Sequence, residues 1–376
     1  MLVADERRST PRYVIEPATQ ADDAGLRNLF RRTSMGSGIE VSFEREPSYF
    51  KALAIQGHRQ EVGVIRDRKT GKIIGSGTRI MRKGFMNGQV TDVGYLGDLR
   101  IDPEYRNRTL AARLYRSLQA RDSWCDWYYT VIFEGNPQAL STIARGRAGL
   151  PVYHDCGRIL CPGIELRGRL PRLSVPDVVL RRAVPDDLPR IVDCLNRNLA
   201  RKQFAAVHEV DHFQQGERWR GLKIGDFRIA ERDGRILGVI AGWDQSSFKQ
   251  TRIARYHGRW KWFAPLSRWT ARIRRAPGLP FPGECLAYFY ACCIAVDRDD
   301  LDVFRALLRE LYNAHVGQKW LYFMVGLHER DPLVAALKEY PQVPFAGRLF
   351  AVTLTDDRNP PPALENGIPS IEIATL

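Results

Sequence analysis

The chain has 376 residues, 44% of them apolar, and carries 57 Lys and Arg against 43 Asp and Glu, a formal net charge of +14. That length exceeds one compact core and suits two domains. No apolar run is long enough for a helical membrane span, and the basic excess favours anionic ligands or surfaces.

Met1 to Pro17 is charged and lacks the apolar stretch of a signal peptide. Seven irregularly spaced cysteines are expected to be reduced thiols, with Cys292 and Cys293 buried in an apolar strand. Both features point to the cytoplasm. Association with the inner face of a membrane is the alternative.

Taken in order, the elements repeat. Val14 to Ala18 before Asp22-Asp23 resembles Val179 to Ala183 before Asp186-Asp187, each a short strand leading to an acidic helix start. A hairpin follows in both halves. Glu61 to Arg66 and Ile73 to Met81 flank Lys69 to Lys72, while Phe227 to Glu231 and Arg235 to Trp243 flank Asp233-Gly234. Gly75 matches Gly238 at an offset of 163, whereas Ile101 matches Val296 and Pro137 matches Pro332 at 195. The difference places a 32-residue insertion in the second half, between roughly Gly242 and Ala287. The linker is Arg167 to Pro176, and the tail from Asp356 reads as irregular. Each half is thus an α/β unit, a mixed sheet with helices on its faces. The expected domains are 1–168 and 177–356, the second with a basic, aromatic insertion at about 244–284.

Leu99-Arg100-Ile101-Asp102-Pro103-Glu104-Tyr105-Arg106-Asn107-Arg108-Thr109-Leu110-Ala111 ends a strand, turns, and opens a helix expected from about Thr109 to Arg121. Leu110, Leu114 and Leu118 recur at a spacing of four and should face the sheet. The opening turn offers unpaired N–H groups and a positive dipole end, and Arg106 and Arg108 add charge. A diphosphate fits there.

The segment resembles the coenzyme A-binding motif of the GCN5-related N-acetyltransferase (GNAT) superfamily, aliphatic-x-Pro-x-Tyr-Arg-x-x-Gly-x-Gly/Ala. Ile101, Pro103, Tyr105, Arg106 and Ala111 fit it, and Thr109 stands where the first glycine is usual. The resemblance implies two fused GNAT-like domains, the first binding acetyl-CoA or another acyl-CoA as cosubstrate. It implies that the backbone of Leu99, Arg100 and Ile101 pairs with the pantetheine arm. Arg106, Asn107, Arg108, Thr109, Leu110 and Ala111 would hold the diphosphate, and Asn136 would contact the cofactor arm. In the second half Asp299, Asp300 and Asp302 occupy the equivalent loop. They would repel a diphosphate, so they are expected to cap their helix instead.

The resemblance further implies direct attack of an amine on the thioester. Asp98 is the nearest candidate base, with Asp92 behind it and Glu134 on the neighbouring strand; an ion pair with Arg100 or another arginine is the plainer role for Asp98. The usual thiolate-protonating Tyr is missing from the helix after Asn136, leaving Tyr153 or Tyr129 as substitutes.

Two signals compete. His208-Glu209-Val210-Asp211-His212 matches His-Glu-x-x-His, but Asp211 is charged inside the motif and no third ligand follows, so no metal is expected. Lys249 to Arg275 holds nine basic residues and no acidic ones, with Trp260, Trp262, Phe263 and Trp269 interleaved. Trp262, Leu266, Trp269 and Ile273 would form one apolar helical face. That segment reads as a lid, as a contact for anionic lipid, or, less readily, as a nucleic-acid contact. The expected activity is N-acyl transfer, most simply N-acetyl transfer, to a small-molecule or peptide amine, with an anionic acceptor favoured by the charge. A non-catalytic acyl-CoA sensor or a membrane-surface scaffold is the alternative.

Overall fold

The computed structural model describes residues 11–36, 38–106, 109–119, 124–125, 127–144, 151–214, 216–264, 267, 278–353 and 367–376. The first half begins β1 (Tyr13–Pro17), α1 (Asp23–Arg32), β2 (Ile39–Glu44), α2 (Tyr49–Leu53), β3 (Arg59–Asp67) and β4 (Ile73–Met86). It continues β5 (Gln89–Ile101), α3 (Leu110–Gln119), β6 (Tyr128–Phe133), α4 (Pro137–Ala144), β7 (Val152–Leu160) and β8 (Gly163–Glu165). The second half opens β9 (Val179–Arg182), α5 (Leu188–Leu199), β10 (Ala205–Ala206), α6 (Val210–Gln214), β11 (Phe227–Arg232) and β12 (Arg235–Trp243). Then come β13 (Gln250–Tyr256), the helical turn α7 (260–264), β14 (Tyr288–Val296) and α8 (Leu301–His315). It closes with β15 (Tyr322–Val325), β16 (Leu327–His328), α9 (Val334–Leu337), β17 (Gln342–Val343) and β18 (Ala346–Thr353).

Two mixed sheets carry the α/β fold. The first has the order β1-β3-β4-β5-β6-β18-β7-β16, with β10 on β4; the second has the order β17-β8-β15-β14-β12-β11-β9. The sheets exchange strands. β18, late in the chain, lies between β6 and β7, while β8 of the early chain pairs with β15 and β17.

The repeat is visible in backbone detail. β4 and β5 slip register between Ser76 and Thr78, opposite Gly97 to Arg100; β12 and β14 slip between Val239 and Ala241, opposite Cys292 to Ala295. Each pair of positions differs by 163 on the first strand and 195 on the second. Asp98 and Cys293 sit in these bulges with φ of +50° and +52°. A bulge bends its strand and re-aims the residues it contains, so both halves break their long strand at the same place. The second hairpin turns on Asp233 and Gly234, both with positive φ, as its dipeptide requires.

Helices cover both faces of each sheet. Leu110 and Leu114 of α3 pack on Ile65 and Ile74, and all three α3 leucines, with Leu118, are buried. Gly63 and Gly77 permit this approach, because a Cβ at either would lie within 3 Å of a Leu114 methyl. On the opposite face Leu26, Leu29 and Phe30 of α1 join Tyr49, Val64 and Ile80. In the second half α5 and α8 take the two faces, and Cys292 and Cys293 are buried as expected.

The insertion forms a small lobe. β13 pairs with β2 of the first half, and Ile253, Tyr256 and Ala264 make its core with Ile39, Val41 and Trp260. Arg252 bonds Glu44, and His257 bonds Glu40. Of the expected apolar helical face, Leu266, Trp269 and Ile273 lie outside the described residues, as do residues 356–366 of the tail; its end is ordered, with a helical turn at Ile373–Thr375 and Ile371, Ile373 and Ala374 buried. Among the described residues, no helix is long and apolar enough to cross a membrane.

Candidate functional site

The parallel pairing of β5 with β6 stops at Tyr95 and Tyr129. β6 has β18 on its other side along its whole length, and beyond Tyr95 β5 keeps only β4 among the described residues. Among the described residues, Leu96 to Ile101 therefore have no strand on the side away from β4. That edge can take an extended ligand as an added strand. Leu99, thrown outward by the bulge, is 44% exposed.

The chain then turns into α3 through an anchored corner. Asp102 accepts the Glu104 amide at 3.1 Å and the Arg32 guanidinium at 2.6 Å. Tyr105 places its hydroxyl 3.3 Å from Asp67, which Arg12 also grips. Two residues of the sequence motif, Pro103 and Tyr105, thus set the angle at which α3 starts. The helix begins at Leu110, one residue after the expected Thr109, with the Arg113 amide bonding the Thr109 carbonyl. No described group bonds the amides of Leu110, Ala111 or Ala112, and Arg106 is exposed beside them. Asn107 and Arg108 lie outside the described residues.

Thr109 holds φ of +56°. This left-handed conformation costs a residue with a Cβ about 1–2 kcal/mol, and glycine pays a smaller entropic cost of about 0.5–1 kcal/mol. Thr109→Gly is expected to raise Tm by about 1–2 °C and to tighten acetyl-CoA binding, measured by thermal unfolding with and without the cofactor. A fall in Tm would mean that the Thr109 side chain's own contact outweighs the strain.

The candidate catalytic residues separate. Asp98 accepts hydrogen bonds from Arg45 at 3.2 Å and from the Tyr49 hydroxyl at 3.2 Å. Its partner is Arg45, not Arg100, which instead donates to the Thr33 carbonyl and lies over Phe30. Burial and the adjacent Asp98 hold the Tyr49 phenol well above its ordinary value. Lys249 approaches from the second half, its side-chain nitrogen bonded to the backbone oxygens of Ala374 and Leu376 and 5.7 Å from the Tyr290 ring. Burial drives Lys249 well below its usual value, reinforced by Arg45 and opposed by Asp98. Tyr288 hydrogen-bonds Thr251 and Tyr290 and stacks on Tyr322, and Tyr290 in turn lies close enough to Arg45 to act on it electrostatically.

Glu134 is elsewhere: Arg158 clamps it through two bonds of 2.7 and 2.8 Å, which lowers its pKa. Asp92 pairs with Lys83. Asn136 accepts the Ala139 amide and so caps α4. Tyr153 packs edge-on against Phe350 and is hydrogen-bonded to Tyr115 of α3. Burial raises both phenols. Tyr115 shares an apolar cluster with Leu96 of the open edge and Leu140 of α4. Tyr129 has Tyr95 and Phe204 for neighbours on the other face. Sequence reasoning missed Arg45, Tyr49, Tyr115 and Lys249, none of which lies in a motif.

The second half closes the same two features on itself. Asp300 accepts the amides of Asp302 and Val303 and caps α8. Asp299 goes instead to Lys202 and Arg201, and Asp302 to Arg305. β14 and β15 part after Ala291 and Val325, but the gap is filled: Glu372 accepts the Cys293 amide at 2.9 Å, and Ile373 packs against Gly326. The His-Glu-x-x-His residues do not share a helix face, because α6 starts at Val210. His208 is buried and stacked on Phe213 and Trp219, and burial lowers its pKa well below the usual value. Among the described residues, no group of three His, Cys, Asp or Glu could hold a metal ion.

No protein-family model matches the sequence, and no curated protein does. Solved structures match along nearly the whole chain. A GCN5-related N-acetyltransferase from Sphaerobacter thermophilus covers 98% of this chain and 99% of its own, with a TM-score of 0.57 at 12% identity. The fold is that of the GCN5-related N-acetyltransferases. The same GNAT fold links the chain to Saccharomyces cerevisiae N-myristoyltransferase with bound myristoyl-CoA, over 91% of this chain and 83% of that one, with a TM-score of 0.57 at 12% identity. It also links it to a glucosamine N-acetyltransferase region of a fungal β-N-acetylglucosaminidase, over 91% of this chain and 38% of that one, with a TM-score of 0.58 at 12% identity.

Proposed function

We propose that the protein is an acyl-CoA-dependent N-acyltransferase whose cofactor lies along the open edge of β5, with its diphosphate on the first turn of α3. The observation that carries this reading is the coincidence of the two: among the described residues, Leu96 to Ile101 lose their strand partner on one side, immediately before a helix start whose first amides no described group bonds. The second half, where both features are filled, shapes the acceptor cleft.

The acceptor amine attacks the thioester carbonyl carbon, the N–C bond forms, and the C–S bond breaks. Asp98, directly or through one water, takes the amine proton, and the Tyr115–Tyr153 pair supplies a proton to the departing thiolate. Glu134 is less suited to the first task because Arg158 engages both its oxygens. Arg45 and Arg100 crowd the carboxylate of Asp98, a balance that favours an acceptor carrying an anionic group besides its amine.

Acetyl-CoA should raise Tm, and Arg106→Glu should abolish that rise without changing the Tm of the free protein. A rise that survives Arg106→Glu removes the diphosphate from α3. Release of free CoA across a panel of amines tests transfer itself. A Tm rise with no release from any of them favours the sensor reading.

A further inference from the structure

We propose that the lobe built on β2 and β13 docks the protein on an anionic bilayer, with Trp262 and Phe263 entering the interface and Arg259 and Lys261 on the headgroups. Trp262 is 83% exposed and Phe263 52%, both in the turn that follows β13. With Arg259 and Trp260 they line an open concavity of about 450 Å³. Large aromatics exposed to this degree on adjacent positions mark an interaction surface. Indole and phenyl rings suit the boundary between headgroup and acyl chain.

Charge selects the partner. Between Lys249 and Arg275 the sequence has nine basic residues and no acidic one. Lys249 faces inward, and Arg252 is spent on Glu44. Arg255 stands opposite Glu40 of β2 and helps hold its carboxyl low, whereas Arg259 and Lys261 are exposed and make no ion pair with a described carboxylate. Each cation near an anionic leaflet contributes about 1 kcal/mol of attraction. A single-stranded nucleic acid would instead need a groove running past several successive bases, whereas these aromatics stand on one turn. The lobe has its own core, so the turn is presented on a supported platform. Nothing here depends on acyl transfer.

The full chain is tested by co-sedimentation with vesicles of equal parts phosphatidylcholine and phosphatidylglycerol, and with phosphatidylcholine alone. Binding is expected only to the anionic vesicles and is expected to weaken as salt rises. Trp262→Ala with Phe263→Ala, and separately Arg259→Glu with Lys261→Glu, should each lower the partition coefficient by roughly tenfold or more. All four side chains are on the surface, so Tm should not move. Failure to sediment, equal binding to neutral vesicles, or full binding by either double variant overturns the proposal. So does retardation of RNA without vesicle binding, or a dimer in light scattering that the aromatic variant dissociates.

Discussion

Asp98→Asn is expected to lower kcat by roughly 10²–10⁴-fold, the range typical for loss of a general base, while the Tm rise caused by acetyl-CoA survives. The substitution suits the site. Asp98 has φ of +50°, a conformation that asparagine tolerates better than alanine, so the β-bulge should persist. An amide can still accept from Tyr49 and Arg45, but it cannot take a proton from an incoming amine. The measurement is CoA release with whichever amine the panel identifies. A kcat within threefold of wild type would take the base role from Asp98.

Lys202→Met is expected to destabilise the fold by about 3–5 kcal/mol without altering cofactor binding. The Lys202 ammonium lies 2.5 Å from Asp331 and 3.1 Å from Asp299, and the Asp331 side chain is only 3% exposed. Removing the cation strands a buried carboxylate. Adding Asp331→Asn should recover part of the loss. The surface pair Arg348–Asp155, each side chain over 40% exposed, supplies the contrast: Arg348→Ala should cost under about 1 kcal/mol. Chemical denaturation compares the two, and equal losses would contradict the account.

Much of the first half was legible because its signals are local. The offsets of 163 and 195 followed from hairpins, glycines and prolines, and the two bulges fall on those offsets. The start of α3 was readable from Pro103, Tyr105 and a leucine spacing of four. What escaped was long-range. β8 is three residues long and carries no mark of its partner in the other sheet. β13 looked like part of a basic, aromatic insertion because alternation with buried Thr251 and Ile253 is easily masked by arginines. Arg45 and Tyr49 hold Asp98 across about fifty residues of sequence, and only the folded chain brings them together. The strain at Thr109 was foreshadowed by the missing glycine, although a residue type by itself carries no backbone angle.

The reciprocal placement of β8 and β18 makes each half a hostage of the other. A cut at the linker would leave β6 without a neighbour on the side away from β5 and strip β15 of its outer strand. A lesion deep in the second half therefore reaches the first through shared backbone, with no direct side-chain contact between the two places needed.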